Sequence, residues 1–539
     1  MDGSPGPKQA LRSLNLRRFD LPLLILLSGL FYWFLTHHAF DTQLSEWDMY
    51  LAALGLWDGY YSGEGVGSTI HYGKWHSFGY ILLIYTLASP EVFGPGDQLF
   101  QFMNLLGFWA SVLCLPLLWI ALATGYGRRV AWPATAMFIG SPVFLELAGG
   151  THPLLLALAT LLLGTILLWH PARGGVGLVL KLLAAVILCG ALSLRLEVVL
   201  AFPFLVLAPP AGQNWKPYVR ECLPRLFVTL AACALLLIAR THVLDAGEEK
   251  SAEFIQAWYS WANVPIGMVA LAFATGIASM IVLPWFGLAY ARNAVRSNAP
   301  WATLMSRMLP WLGPLSLMGI TFVFWIANPL PARHFLLFVL GAAIVIVMAA
   351  WAKFGSLRKV MVFSALLIAG NQILSAAANP YAVQASGFAA HRGWPYLLTA
   401  PSGFAWERRE MLKRKWAGAM RAGQIVASGK CGERVIVSAQ LSSAVVAQMV
   451  SQRPHLPVTN HIRRHGGHVM AMTELEQPVH ALIYTRASLQ DPPIPKELLH
   501  DANLSEFQVA IVSDQPDQPI SATIPRERLA SQFCSRIKA

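Results

Sequence analysis

The sequence predicts an α-helical polytopic membrane protein of about eleven transmembrane helices, followed by a small C-terminal α/β domain outside the cytoplasm. Three observations predict it. First, 55% of the 539 residues are hydrophobic and only 13% are charged, about half the charged fraction of a soluble domain, and the mean hydropathy is +0.50. Second, long apolar runs follow one another with short polar loops between them, as bilayer-spanning helices of roughly 17 to 25 residues require. Third, from about Asn379 polar and charged residues become frequent and no apolar run is long enough to span. The domains read from this are 1–378, transmembrane, and 379–539, soluble.

The chain opens with a basic segment, MDGSPGPKQALRSLNLRRFD, and no cleavable signal peptide is evident. The first apolar run is too long for a signal core and reads as a retained anchor. Apolar runs follow at about 21–38, 76–93, 99–123, 130–147, 152–169, 178–208, 222–240, 265–289, 308–327, 334–351 and 360–377. The second is short in purely apolar residues. The sixth carries Arg195 and Glu197 and would measure about 45 Å as a straight helix, against about 30 Å of hydrocarbon. It is one tilted or broken helix, or two short ones.

Charge sets the orientation. Lys8, Arg12, Arg17 and Arg18 place the N-terminus in the cytoplasm, because basic residues stay on that side. Lys216, Arg220 and Arg225, then Arg292, Arg296 and Arg307, then Lys353, Arg358 and Lys359 mark further cytoplasmic loops, and the acidic stretch 245–253 suits the outside. An odd number of crossings leaves the C-terminus outside. Gly127-Arg128-Arg129 objects, since this count puts it outside; two crossings within 178–208, with another span re-entrant, would remove the conflict. The formal net charge of +12 follows from these loops, so no nucleic-acid partner is expected.

Within the C-terminal region, 433–439, 480–486 and 507–513 read as short buried strands and 441–453 as a helix with apolar residues at helical spacing. Residues 406–421, WERREMLKRKWAGAMR, read as a basic amphipathic helix, either on the membrane surface or packed on the domain. Four of the six cysteines lie in or beside apolar runs; Cys431 and Cys534 are the pair in the polar region. That isolation predicts a disulfide and an oxidising compartment.

Chemistry gathers in one loop. The stretch 41–76 carries Asp41, Glu46, Asp48, Asp58 and Glu64, with His71 and His76 at its end, and carboxylates are sparse elsewhere in the first 240 residues. Acids concentrated in one wet loop between apolar spans suggest a catalytic loop. The start of this loop, WDMYLAALGLWDG at 47–59, resembles the acidic pattern that opens the first external loop of GT-C type glycosyltransferases, which use a polyprenyl-phosphate sugar donor. Protein O-mannosyltransferases and lipid A aminoarabinose transferases belong to that group. HSFGYILLIY at 76–85, the Ser-Pro helix end in GSPVFLELAGGTHPLLL, and PLPARHFLLFVLGAAI at 329–344 are similar to later segments of the same family. The chain departs from the pattern at Met49, where Glu often follows Asp; at Gln101 and Asn104, near a position often held by Arg; and at His152, where Asp is common.

The resemblance implies an enzyme that moves a sugar from undecaprenyl or dolichyl phosphate to an extracytoplasmic lipid, glycan or protein. Such a transfer needs a base for the acceptor's proton, and a partly buried carboxylate can serve if burial lifts its pKa. Asp48 is the first candidate, with Glu46 and Asp41 in reserve. It also needs cations for the leaving phosphate. Arg333 and His334 come first, then Arg195, an ionisable residue within an apolar run, whose alternative role is an ion pair with a carboxylate such as Glu146. Lys74, His71 and His76 are further candidates. A divalent metal on the loop acids is possible in principle, but no spacing is diagnostic. HIRRHGGH at 461–468 reads as a basic loop or a metal-binding one. The competing class is a lipid or polysaccharide flippase or transporter, whose essential charges would line a central path.

Overall fold

The computed structural model describes residues 19–38, 78–87, 97–148, 153–172, 174–208, 215–243, 261, 264–296, 301–327 and 332–391, together with seven short strands between 435 and 525. The chain divides into two compact units, residues 1–39, 77–80 and 107–405, and residues 40–76, 81–106 and 406–539.

The helices are, in chain order, α1 (Asp20–His38), α2 (Phe78–Leu87), α3 (Asp97–Tyr126), α4 (Arg128–Ile139), α5 (Pro142–Leu147), α6 (Leu154–Trp169), α7 (Gly174–Leu194), α8 (Phe202–Leu207), α9 (Trp215–Val243), α10 (Val264–Thr275), α11 (Ile277–Arg296), α12 (Trp301–Trp325), α13 (Leu336–Phe354) and α14 (Leu357–His391); the first unit is built of these, except that most of α2 and the start of α3 fall in the second. Six of these contain stretches long and apolar enough to cross a membrane, and a seventh arises if the bent pair α10–α11 counts as one. The chain is a multi-pass membrane protein. Side-chain exposure fits that medium. On α1, Leu24, Phe31 and Leu35 are buried, whereas Leu21, Ile25, Leu26, Leu30 and Trp33 are exposed. That outer face is apolar, as contact with lipid tails requires and contact with water would not. The hub is α13, buried almost continuously from Leu336 to Ala350.

Three expected spans prove to be interrupted. The run 178–208 is two elements that meet at Arg195, whose extended backbone (φ −158, ψ 114) ends α7. A 3₁₀ segment, Leu196–Ala201, then leads into α8. With about 2.0 Å rise per 3₁₀ residue, the 3₁₀ segment and α8 together reach about 21 Å. The last carbonyls of α8, which no helical amide can reach, are met by side chains. The Trp169 indole donates to the Leu205 carbonyl at 2.9 Å, the Tyr218 hydroxyl to Leu207 at 2.9 Å, and the Arg225 guanidinium to Ala208.

The run 130–147 breaks at Gly140. Ser141 caps α5, accepting from the Phe144 amide at 3.4 Å and donating to the Phe138 carbonyl at 2.6 Å, and Pro142 takes the first helical position, where its missing N–H costs nothing. The run 265–289 turns by 94° between α10 and α11. Gly276 makes the turn at φ +93, and a Cβ there would collide with the Asn371 side chain. Buried Asn371 from α14 accepts from the Ser279 amide at 2.9 Å and donates to the Ser279 hydroxyl at 2.8 Å, so a neighbouring helix caps the freshly started α11.

The Arg128 loop is placed by contact. Arg128 pairs with Asp20 at the start of α1, Nη2 to Oδ1 2.5 Å, so the Gly127-Arg128-Arg129 turn lies at the end of the helical unit where α1 begins. Helix α14 runs on to His391, beyond the composition change near residue 379.

The second unit contains a five-stranded sheet in the order β2 (Val458–Asn460), β1 (Val435–Ser438), β5 (Ala481–Thr485), β6 (Glu506–Val512), β7 (Ile520–Pro525). The β2–β1, β1–β5 and β5–β6 pairs are parallel, and β6–β7 is antiparallel. Three of these strands fall at the expected segments. The expected helices 406–421 and 441–453 lie outside the described residues. Within HIRRHGGH, β3 (Arg463–Arg464) pairs antiparallel with β4 (His468–Val469).

Candidate functional site

Arg195, Arg333 and His334 come from two segments far apart in sequence, and the helical unit brings them together. Arg195 occupies the break between α7 and the 3₁₀ segment, which positions it at a helix end rather than along a helix face. Arg333 and His334 lie in a second 3₁₀ turn, Ala332–Phe335, that leads directly into α13. Helices α5, α10, α12 and α13 pack against this turn.

The residue that joins the two segments is Glu197. Its Oε2 lies 2.8 Å from His334 Nδ1 and 3.5 Å from Arg195 Nε, with the imidazole and the carboxylate both largely buried. Arg333 stands next to His334 in the same 3₁₀ turn, and Arg195 reaches the same carboxylate as the His334 ring. A bond from Nδ1–H to the carboxylate fixes the tautomer and leaves Nε2 turned elsewhere. The Trp325 ring covers the imidazole at 4.5 Å between centroids.

Two further groups on α12 lie near this cluster in sequence register. The Trp325 indole N–H and the Thr321 hydroxyl are buried and have no hydrogen-bond partner among the described residues. They are four apart and therefore share one helix face. Buried donors without acceptors are uncommon and call for a ligand or water. The cluster can thus offer two guanidiniums and an indole N–H to an oxygen-rich anion, with Glu197 holding Arg195 and the His334 ring in place.

The sequence singled out Arg195, Arg333 and His334 as separate candidates and the structure brings them together. It also named Glu197 among the ionisable residues within apolar runs, but not as the partner of His334. The signal lay in Arg195-Leu196-Glu197, two opposite charges bracketing a break in an over-long apolar run. Asp41, Glu46, Asp48, His71, Lys74 and His76 lie outside the described residues, as do Cys431 and Cys534 and the side chain of Glu146. Among the described residues no group of three or more His, Cys, Asp or Glu could hold a metal ion; the loop acids considered for a divalent metal are not among those residues.

No family model and no curated protein matches the chain. Two solved structures are similar to it. One is the crystal structure of ArnT from Cupriavidus metallidurans bound to undecaprenyl phosphate, 11% identical, with 94% of this chain and 98% of that chain covered and a TM-score of 0.46. The other is ArnT from Cupriavidus metallidurans in the apo state, 12% identical, with 91% and 92% covered and a TM-score of 0.46.

Proposed function

We propose that the chain is an inverting glycosyltransferase of GT-C type that moves a sugar from a polyprenyl-phosphate carrier to an extracytoplasmic lipid, glycan or protein acceptor. The observation that carries this reading is the meeting of Arg195 and His334 on Glu197, with Arg333 beside His334 in the same 3₁₀ turn, at one end of a membrane-embedded helical unit. Ionisable residues in such a setting are expensive and are retained for function or pairing. The WDMYLAALGLWDG and PLPARH segments support the same reading.

In this mechanism the acceptor hydroxyl or amine attacks the anomeric carbon from the face opposite the phosphate. Asp48 takes the acceptor's proton; Glu46 and Asp41 are the alternatives. The bond between the anomeric carbon and the phosphate oxygen breaks, and its electron pair leaves with the polyprenyl phosphate. Arg333 and Arg195, with Lys74 from the loop, stabilise the growing negative charge on that phosphate, and His334, through their shared partner Glu197, helps to hold Arg195 in position. Donors that meet charge as it develops in a poorly solvated site give the larger part of such catalysis.

The orientation belongs to the same proposal. With the N-terminus in the cytoplasm, the Asp20–Arg128 pair supports a cytoplasmic position for Gly127-Arg128-Arg129, in line with the basic-residue rule. Two crossings, α7 and the segment from Leu196 to Leu207, then replace one. If α2 returns to the side it enters from, the total is again eleven, and the C-terminal domain is extracytoplasmic.

The test is transfer from a polyprenyl-phosphate sugar in proteoliposomes, read as release of polyprenyl phosphate. Asp48→Asn is expected to abolish release while the purified protein keeps its size-exclusion profile and melting temperature. Full activity in Asp48→Asn removes Asp48 from the role of base. Absence of release by the unmodified protein with every polyprenyl-phosphate sugar, alongside donor-free lipid transport, favours the flippase reading.

A further inference from the structure

A groove of about 690 Å³ opens on the outer surface between α7 and α9. Its walls are apolar, formed by Leu178, Leu182, Leu223, Phe227 and their neighbours, and those four side chains are at least half exposed. Two cations also line it, Lys181 from α7 and Arg220 from α9. Among the described residues neither forms an ion pair, in contrast to Arg225 one turn further along α9, which is buried against Glu221.

We propose that this groove holds an anionic glycerophospholipid of the cytoplasmic leaflet, its phosphate between Lys181 and Arg220 and an acyl chain along Leu182, Leu223 and Phe227. Three observations carry it. The groove joins an exposed apolar channel to two unpaired cations, which is the chemistry of a lipid tail and an anionic head. Its depth is right. Lys181 precedes Arg195 by about 21 Å along α7, at 1.5 Å per residue, and Arg220 lies in the second turn of α9, so both sit toward the end opposite the Arg195–His334 cluster. Under the basic-residue rule that end faces the cytoplasm, where anionic lipids attract cations between helices. Finally, Pro224 within α9 has no N–H for the Arg220 carbonyl, which leaves an unmatched backbone acceptor and loosens the helix beside the groove.

The proposal rests on the orientation proposed above, with the N-terminus in the cytoplasm, and not on the transferase chemistry. A head group from free phosphate would leave the apolar walls unused, so the occupant is a whole lipid.

The experiment uses the full-length protein in detergent, with phosphatidylglycerol, phosphatidylcholine or inorganic phosphate added, and reads bound lipid by native mass spectrometry and melting temperature by intrinsic fluorescence. Phosphatidylglycerol is expected to bind and raise the melting temperature, while phosphatidylcholine and inorganic phosphate do neither. Lys181→Gln with Arg220→Gln is expected to weaken phosphatidylglycerol binding roughly 30-fold, from about fivefold per cation. Lys359→Gln, an exposed cation outside the groove, should leave binding unchanged. Ala231→Trp, which fills the groove without altering charge, should also displace the lipid. Equal binding of both phospholipids, an effect of inorganic phosphate alone, unchanged binding in the double variant, or loss in Lys359→Gln overturns the assignment. Loss of sugar transfer with lipid binding intact touches only the transferase reading.

Discussion

The two ends of the helical unit each bury a carboxylate beside an arginine, but they use it differently. At one end Asp20 is completely buried, and Arg128 Nε and the Trp132 indole both donate to its Oδ1, at 2.7 and 3.3 Å. This ties the start of α1 to the start of α4. At the other end Glu197 holds a histidine and an arginine that belong to helix breaks, beneath a tryptophan whose N–H has no acceptor among the described residues. The ends are well separated: Trp351 of α13 donates to the Arg129 carbonyl at 2.7 Å, and Trp351 lies about 25 Å along the helix from His334. A fully satisfied pair at helix starts serves the fold. Under the proposed function, the N–H donor left over at the helix breaks is there for a ligand, and the contrast between the two ends becomes testable.

The first way to break this comparison is Arg195→Ala. If Arg195 faces the donor phosphate, its loss removes a charge-assisted hydrogen bond made to the leaving group, about 2 to 3 kcal/mol, or roughly 100-fold in kcat/KM. A drop in melting temperature is expected as well, because Arg195 is only 16% exposed and its loss takes a partner from buried Glu197, so the discriminating readout is transfer per folded molecule. A large drop in melting temperature with transfer unchanged would make the two ends alike, both structural.

Gly276→Ala tests the framework of the Arg195–His334 end alone. Residue 276 needs a positive φ and the space of the missing Cβ is taken by Asn371. A substitution there is expected to destabilise by about 1 to 3 kcal/mol, seen in thermal unfolding. Helix α10, which the elbow aims at the Arg333–His334 turn, should shift with it and lower transfer beyond the loss of folded protein. Asn371→Leu should reproduce the unfolding effect by removing the cap from Ser279.

How much of this was legible in the sequence depended on length scale. Apolar runs reported where helices lie, because a bilayer demands a minimum apolar length. They did not report breaks. Arg195 in an over-long run and Gly140-Ser141-Pro142 hinted at two of them. The bend at Gly276 left no such signal, because its cap comes from Asn371, distant in sequence. Cation candidates could be named one by one, but their meeting around Glu197 is a tertiary fact. The Arg128 conflict in orientation was visible in the sequence, and only the contact with Asp20 placed the loop at the end where α1 begins.

Asp20→Ala probes the structural end. It leaves Arg128 and Trp132 without their shared acceptor. The cost is expected at about 1 to 3 kcal/mol, lowered toward the small end by water reaching Arg128, which is 23% exposed. Transfer per folded molecule should be unchanged. A drop in kcat without a drop in melting temperature would show that the Asp20 end also governs the reaction.

The smallest effect is expected for Trp325→Phe, and it discriminates best. Phenylalanine keeps an aromatic ring over His334 and fills most of the same volume, so packing on the imidazole is largely preserved. Only the indole N–H is lost. If that N–H is idle, removing a buried donor without an acceptor leaves the protein as stable or slightly more so, and transfer is unaffected. If it donates to the donor's sugar when bound, the loss of one neutral hydrogen bond is about 0.5 to 1.5 kcal/mol, a rise of roughly 2- to 12-fold in KM for the donor. The melting temperature of the empty protein would then hold or rise while the added stability from bound donor shrinks. That opposite movement separates a group reserved for a ligand from one that supports the fold, and Trp132 at the Asp20 end is the control: Trp132→Phe, which gives up a bond to Asp20, should lower the melting temperature and leave KM alone.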